Sequence, residues 1–310
     1  MTALPTVDFR DFDTDFTGFS RAMGESYRRY GFAVVSHHGL AQHLIDGTLD
    51  CFRTFFARPD ADKRRWQVPG QGGARGYTPF GIETAKGASV RDLKEFWHVG
   101  RELPAGHPYR QYMPDNLWVD DIPAMREQAY GLFQAFDALG AKLLRAIAVF
   151  LGLPADWFDD KVNLGNSVLR VLHYPPVAAD SVGVRAGAHE DINVITLLLG
   201  AEEAGLQLLD ADGQWLDVQP PPHCVVVNIG DMLQRLTNHR LPSTTHRVVN
   251  PDAGRASHAR WSLPFFLHFN PDFLIRTLPG CVDAQHPDRY PQPITANDYL
   301  LERLRDIKLL

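Results

Sequence analysis

Large apolar side chains recur at Phe16, Phe19, Met23, Tyr27 and Tyr30, three to four residues apart, and the pattern stops at Gly31. That spacing gathers one face of an α-helix, so a helix is predicted over roughly 14–30 with the glycine closing it. The next five residues, FAVVS, read as a strand over 32–36. Leu44, Leu49, Phe52 and Phe56 mark a second helix over roughly 41–57, ending before Pro59. The longest helical pattern begins at Pro123 and carries Met125, Ala129, Leu132, Phe136, Leu139, Leu143, Ile147 and Phe150. Gly152 and Pro154 end it, leaving a helix long enough to back a sheet.

From about residue 167 the period falls to two. Short runs at 168–174, 194–199, 206–209, 224–229, 244–249 and 261–269 are separated by turn signals at Pro175-Pro176, Asp210 to Gly213, Gly230-Asp231 and Pro251 to Gly254. Strands of this length and spacing suggest an antiparallel sandwich or jelly roll. The Gly- and Pro-rich stretch 68–87 reads as a surface loop, and a last helix is expected over roughly 296–307. The expected fold is mainly β with flanking helices. An N-terminal region, 1–120, is integrated with a β core, 121–310, that has the 123–151 helix behind it, and no linker separates them.

Charge and cysteine usage narrow the setting. Thirty-one Lys and Arg against 37 Asp and Glu leave a net charge of −6 over 310 residues, which argues against nucleic acid or an anionic membrane as a partner. Three distant cysteines, Cys51, Cys224 and Cys281, do not form a disulfide framework, so a reducing, cytoplasmic setting is expected. The acidic start MTALPTVDFRDFDTDF lacks the basic and apolar parts of a signal peptide. The longest apolar run, 194–201, is strand-length and far short of a membrane span.

The chemistry-bearing segment is Ala188-His189-Glu190-Asp191. On a strand, positions i and i+2 share a face, so His189 and Asp191 point together as two corners of a metal site. His246, among the β-branched residues of STTHRVV, is a third candidate. A hairpin centred on residue 253 would set 246 opposite 260, which would bring Arg260 and Ser262 to the face of His246. A guanidinium fork and a hydroxyl near a metal make a receptor for a carboxylate whose other end reaches that metal. Two histidines and one carboxylate form the facial triad of non-haem Fe(II) oxygenases. Zinc accepts the same ligands, but a hydrolytic zinc site needs no anion receptor beside it.

With these residues in view, the chain resembles the isopenicillin N synthase-like Fe(II)/2-oxoglutarate-dependent dioxygenases over nearly its whole length. The resemblance is carried by LPTVD at 4–8, GFAVVSHHG at 31–39, Phe55-Phe56, Arg75-Gly76-Tyr77, Gly81-Ile82-Glu83 and DLKEF at 92–96. It continues through His189-Glu190-Asp191, Gly205-Leu206-Gln207, VNIGD at 227–231, STTHRVV at 243–249 and RWSLPFF at 260–266. It implies a double-stranded β-helix (jelly roll) core. It also implies Fe(II) bound by His189, Asp191 and His246, with the distal carboxylate of 2-oxoglutarate held by Arg260 and Ser262 and its 2-oxo acid end on the iron. Tyr174 stands where many members have the tyrosine of an Asn-x-Tyr motif that touches the co-substrate. Here that motif reads Leu172-His173-Tyr174, so the asparagine contact is missing.

The implied reaction couples O2 and the oxidative decarboxylation of 2-oxoglutarate, to succinate and CO2, to oxidation of a small molecule, with hydroxylation the usual outcome. Arg75, Tyr77, Glu83, Lys94, His173, Phe266 and His268 are candidates for substrate selection, while Asn228, Gly230 and Asp231 read as a structural turn. Lys63-Arg64-Arg65 reads as a solvated helix end. Two other readings compete: an iron oxidase of the same fold that does not use 2-oxoglutarate, and a non-catalytic jelly-roll protein that binds a metal or ligand.

Overall fold

Gly31 adopts φ 68° and closes the helix Phe16–Tyr30, whose other end is capped by the Asp15 carboxylate accepting from the Gly18 amide. The computed structural model describes residues 4–70, 73–82, 92–176, 184–200, 205–250 and 258–306. Its helices are α1 (Asp11–Thr14), α2 (Phe16–Tyr30), α3 (Gln42–Phe56), α4 (Asp60–Arg64), α5 (Met125–Phe150), α6 (Asp159–Val162), α7 (Asp231–Leu236) and α8 (Ala296–Asp306). The long backing helix therefore starts two residues after Pro123. Residue 307, the expected end of the last helix, lies outside the described residues, as do the 251–254 turn and Glu83.

The strands are β1 (Thr6–Asp8), β2 (Phe32–Ser36), β3 (Gly76–Thr78), β4 (Glu95–Gly100), β5 (Val168–Tyr174), β6 (Ala186–His189), β7 (Ile195–Leu199), β8 (Leu206–Leu209), β9 (Trp215–Asp217), β10 (Val225–Ile229), β11 (His246–Val248), β12 (Arg260–Leu267), β13 (Leu274–Ile275) and β14 (Ile294–Thr295). Eight of them form one sheet in the order β1-β2-β10-β7-β12-β5-β4-β3, and four form a second in the order β6-β11-β8-β9. Only β1 and β2 pair in parallel within the large sheet. Strands of the N-terminal region thus lie in the same sheet as core strands. The two sheets make the jelly-roll core.

Alternation along the strands sorts the large sheet into two faces. Outward, Leu197 and Leu267 lie near Gly140 of α5, and Phe265 meets Phe133 and Phe136 at ring distances of 5.2 and 5.5 Å. Helices α2 and α3 pack on α5, and the Ser20 hydroxyl donates to the Ala146 carbonyl at 2.6 Å. Inward, Phe32, Val34 and Val226 pack against Ala186, Leu206, Leu208 and Val248 of the small sheet. Between those apolar contacts the inner face carries Thr196, Asn228, Ser262 and Arg260, where the chemistry lies.

Three local expectations need correction. The 68–87 loop contains β3, which pairs with β4. Strand β4 itself gave no period-two signal because all six of its residues are buried, on both faces. Lys63 is not solvated. It is 8% exposed and its ammonium sits 2.7 Å from the Glu95 carboxylate. Among the described residues no helix is long and apolar enough to cross a membrane.

Candidate metal centre

Strand β6 ends at His189, and antiparallel β11 sets His246 directly opposite it, with ring centroids 4.4 Å apart. Asp191 follows two residues on, its carboxylate oxygens 3.8 Å from His189 Nε2 and 3.9 Å from His246 Nε2. One donor atom from each of the three lies within 4.8 Å of the others. Both Nδ1 atoms face backbone carbonyls, Gly187 at 2.7 Å and Thr244 at 3.0 Å. Each Nδ1 therefore carries the proton and each Nε2 lone pair is available to a metal.

The carboxylate is equally well braced. Asp191 Oδ2 accepts from Thr196 Oγ1 (2.6 Å) and Asn228 Nδ2 (2.8 Å), which come from paired positions of β7 and β10. Burial opposes its charge, but His246, His189, Asn228 and Thr196 hold the carboxyl below its usual range. The side chain of His189 keeps 38% of its area exposed, yet desolvation by the surrounding protein, then His246, pushes its imidazole down to about 4 against the opposing pull of Asp191. A neutral imidazole and an ionised carboxylate are the protonation states that a divalent metal requires. Replacing Thr196 by Val together with Asn228 by Leu should weaken metal binding by about 10- to 100-fold while leaving the three donors in place. Metal titration followed calorimetrically checks this.

The expected hairpin between 246 and 260 is not what forms. β11 belongs to the small sheet and β12 to the large one, so His246 pairs with His189 and Leu208, whereas Arg260 pairs with Tyr174 and Ser262 with Leu172. The chain crosses from one sheet to the other between these strands, which a local turn signal cannot reveal. Arg260 still faces the interior. Its guanidinium lies 5.2 Å from the Tyr174 ring, donates from Nη2 to the Gly200 carbonyl (3.1 Å), and keeps Nε without a partner among the described residues. Arg260 is 1% exposed and Ser262 is 2% exposed. A buried guanidinium with an orphaned donor is costly in isolation and fits an anion receptor. Leu172 joins Phe96 and Tyr174 in a small apolar cluster, so the missing asparagine is replaced by a surface without hydrogen-bonding capacity.

Residues 165–269 match the model of the 2OG-Fe(II) oxygenase superfamily, and residues 4–121 match that of the N-terminal region named for the non-haem dioxygenase in morphine synthesis. The 2-oxoglutarate-Fe(II) type oxidoreductase hxnY of Emericella nidulans is 35% identical over 96% of this chain and 88% of its own length. The chain belongs to the 2OG-Fe(II) oxygenase superfamily. A member of that family from Caulobacter crescentus has a crystal structure with TM-score 0.93 and 54% identity, covering 99% of this chain and 100% of that one. A full-length Neurospora crassa protein crystallised with alpha-KG has TM-score 0.86 and 31% identity, covering 97% and 96%. This oxygenase is therefore an Fe(II)- and 2-oxoglutarate-dependent oxidoreductase, a dioxygenase whose co-substrates are 2-oxoglutarate and O2.

The residues singled out for substrate selection in this oxygenase fall in different places. Phe266 is on the inner face, half-buried, with the Arg170 guanidinium 5.2 Å from its ring. Arg75 is 2% exposed and lies against Gly100 of β4. His173 and Tyr77 are on the helix side instead. His173 stacks on Trp261 at 4.4 Å and its Nδ1 donates to Glu95 (2.8 Å), while the Tyr77 hydroxyl donates to the same carboxylate (2.6 Å). Neighbouring strand residues point to opposite faces, so Tyr174 facing inward forces His173 outward. His268 is buried past the end of β12 and lines a small cleft with Asn166, Met232 and Ala296. His173 and Tyr77 therefore leave the proposed pocket, whereas the buried His268 imidazole interacts electrostatically with Asp191.

Sequence reasoning passed over several residues of the surroundings. Thr196 is a lone polar residue in the apolar run ITLLL. Asn228, read with Gly230 and Asp231 as a turn, lies instead on β10 within VVVNI, with α7 starting at Asp231. Polar side chains at inward positions of such strands are the signal that was available. Buried Asp92 pairs with Lys94 at 2.9 Å and accepts from the Gly187 amide at 3.1 Å, which ties the approach to β4 to the strand that bears His189.

Proposed function

We propose that His189, Asp191 and His246 hold the Fe(II), and that Arg260 and Ser262, with Tyr174 alongside, hold the distal carboxylate of 2-oxoglutarate. The observation that carries this assignment is the pairing of three convergent donors with a buried guanidinium whose Nε is unsatisfied. Iron with 2-oxoglutarate supplies an oxidant strong enough to break an unactivated C–H bond. The protein's part is to orient the two imidazoles through their Nδ1–H bonds, to keep Asp191 ionised through Thr196 and Asn228, and to exclude water with the apolar inner face.

The substrate is read as a small molecule, and its oxidation as hydroxylation. Relatives of similar fold support that scale, since the Neurospora crassa protein also crystallises with thymine and a rice relative is described as a dioxygenase for auxin oxidation. The working division is an N-terminal region, 1–120, integrated with the core, 121–310. A reducing, cytoplasmic setting is in keeping with the three free cysteines, and the net charge of −6 with the absence of nucleic-acid or anionic-membrane partners.

Arg260→Ala provides the test of the co-substrate site. It should raise the 2-oxoglutarate concentration needed for succinate release by about 30-fold or more, roughly 2 kcal/mol, with metal affinity unchanged. Succinate release whose 2-oxoglutarate dependence is the same in the variant would reject the assignment of Arg260.

A further inference from the structure

We propose that the substrate carries a carboxylate and that Arg75 receives it. The inference rests on the dioxygenase reading and adds the chemical class of the molecule oxidised. Arg75 is 2% exposed, and burial pushes its guanidinium down to about 10. Among the described residues it makes one hydrogen bond, from Nη1 to the Ala74 carbonyl at 2.6 Å, and Nε and Nη2 have no partner there. Those two N–H groups share one edge of the guanidinium plane. Together they form the side-on fork that matches the two oxygens of a carboxylate. A buried cation left with an empty fork is destabilising unless a ligand completes it.

The fork sits in the same row as the metal centre. A side chain on Gly100 would collide with the Arg75 guanidinium at 1.9 Å, so this strand position has room for the arginine only because it is glycine. Across the ladder Gly100 pairs with Val168, Val168 with Phe266, and Phe266 with Thr196, which donates to Asp191. At about 4.8 Å per strand, two spacings separate Gly100 from Phe266, on the order of 10 Å, the length of a small organic acid. Val168 and Phe266 are half-buried whereas Leu169, Phe265 and Leu267 on the opposite face are buried, which leaves inner surface for a ligand's body. Arg170 lines the same surface, its Nε donating to His98 Nε2 at 2.6 Å while His98 Nδ1 faces the Gly73 carbonyl at 2.6 Å.

The experiment is anaerobic calorimetry on the enzyme loaded with Fe(II) and 2-oxoglutarate. The probes are matched carboxylic acids and carboxamides on phenyl, cyclohexyl, pyridyl, indolyl and short alkyl frames. At least one acid should bind about tenfold or more tightly than its amide, and Arg75→Gln should remove that preference while 2-oxoglutarate affinity is retained. Amides binding as well as acids, no acid binding at all, or a preference that survives in Arg75→Gln would each overturn the proposal. Should Arg75→Gln lose 2-oxoglutarate binding through misfolding, a crystal structure of the wild-type enzyme with the tightest acid decides. Its carboxylate must lie within hydrogen-bond distance of Arg75 Nε and Nη2, and any other location refutes the assignment. Failure of the dioxygenase reading would look different, as absent 2-oxoglutarate binding and no succinate in the wild type.

Discussion

Asp191→Ala is expected to lower turnover by at least a thousand-fold, about 4 kcal/mol of transition-state stabilisation, because it removes the only anionic donor of the triad. Two neutral imidazoles on facing strands remain, and without the carboxylate they no longer enclose a divalent ion from three sides. The fold should survive. Thr196 and Asn193 already exchange hydrogen bonds with each other, so the loss of the Asp191 acceptor leaves Thr196 a partner. The buried Asn228 Nδ2 does lose its acceptor, so stability should fall by about 1–3 kcal/mol in the metal-free protein. Asp191→Asn separates charge from shape. It keeps a side chain of the same size but should lose metal affinity nearly as fully as the alanine variant. Metal titration alongside thermal unfolding checks both points, and metal binding retained in either variant would remove Asp191 from the ligand set.

The second large effect concerns stability and lies on the other side of the sheet. Glu95 is 3% exposed and accepts from Lys63, Tyr77 and His173 at 2.7, 2.6 and 2.8 Å. Glu95→Ala strands the Lys63 ammonium, and breaking such a pair should cost about 3–5 kcal/mol. Converting Lys63→Met in the same chain should return much of that loss, because the uncompensated charge is then gone. Burial opposes ionisation of Glu95, but bonds from His173, Lys63 and Tyr77 hold its carboxyl below the ordinary glutamate value. A depressed carboxylate contributes stability that is fully present above the unfolded value, about 4.3, and that is lost as pH falls through the folded one. The gap in denaturant midpoint between wild type and Glu95→Ala should thus be constant near neutrality and narrow below about pH 4. A gap that stays open in acid would show that packing, not charge, sets it.

The contrast between these two sites explains what was legible in the sequence. The His189-x-Asp191 spacing is a local relation on one strand, so alternation alone joins the two side chains. The pairing of His246 with His189 is non-local, and a turn signal near residue 253 pointed instead to a hairpin that the sheet crossing does not allow. Arg260 and Ser262 kept their inward direction because i and i+2 parity holds whichever strand lies beside them. The same parity, applied to Leu172-His173-Tyr174, would have turned His173 away from the pocket. Strand β4 and the Lys63 pairing were invisible for a different reason. A strand buried on both faces and a charge neutralised by a residue 32 positions away leave no period and no local partner to read.

Anaerobic addition of 2-oxoglutarate to the Fe(II)-loaded protein tests the central assignment most directly. The Fe(II) and 2-oxo acid together should give a weak visible charge-transfer band, absent in Asp191→Ala, and admission of air should bleach it with release of succinate. A wild-type protein with iron demonstrably bound that shows neither the band nor succinate would contradict the assignment.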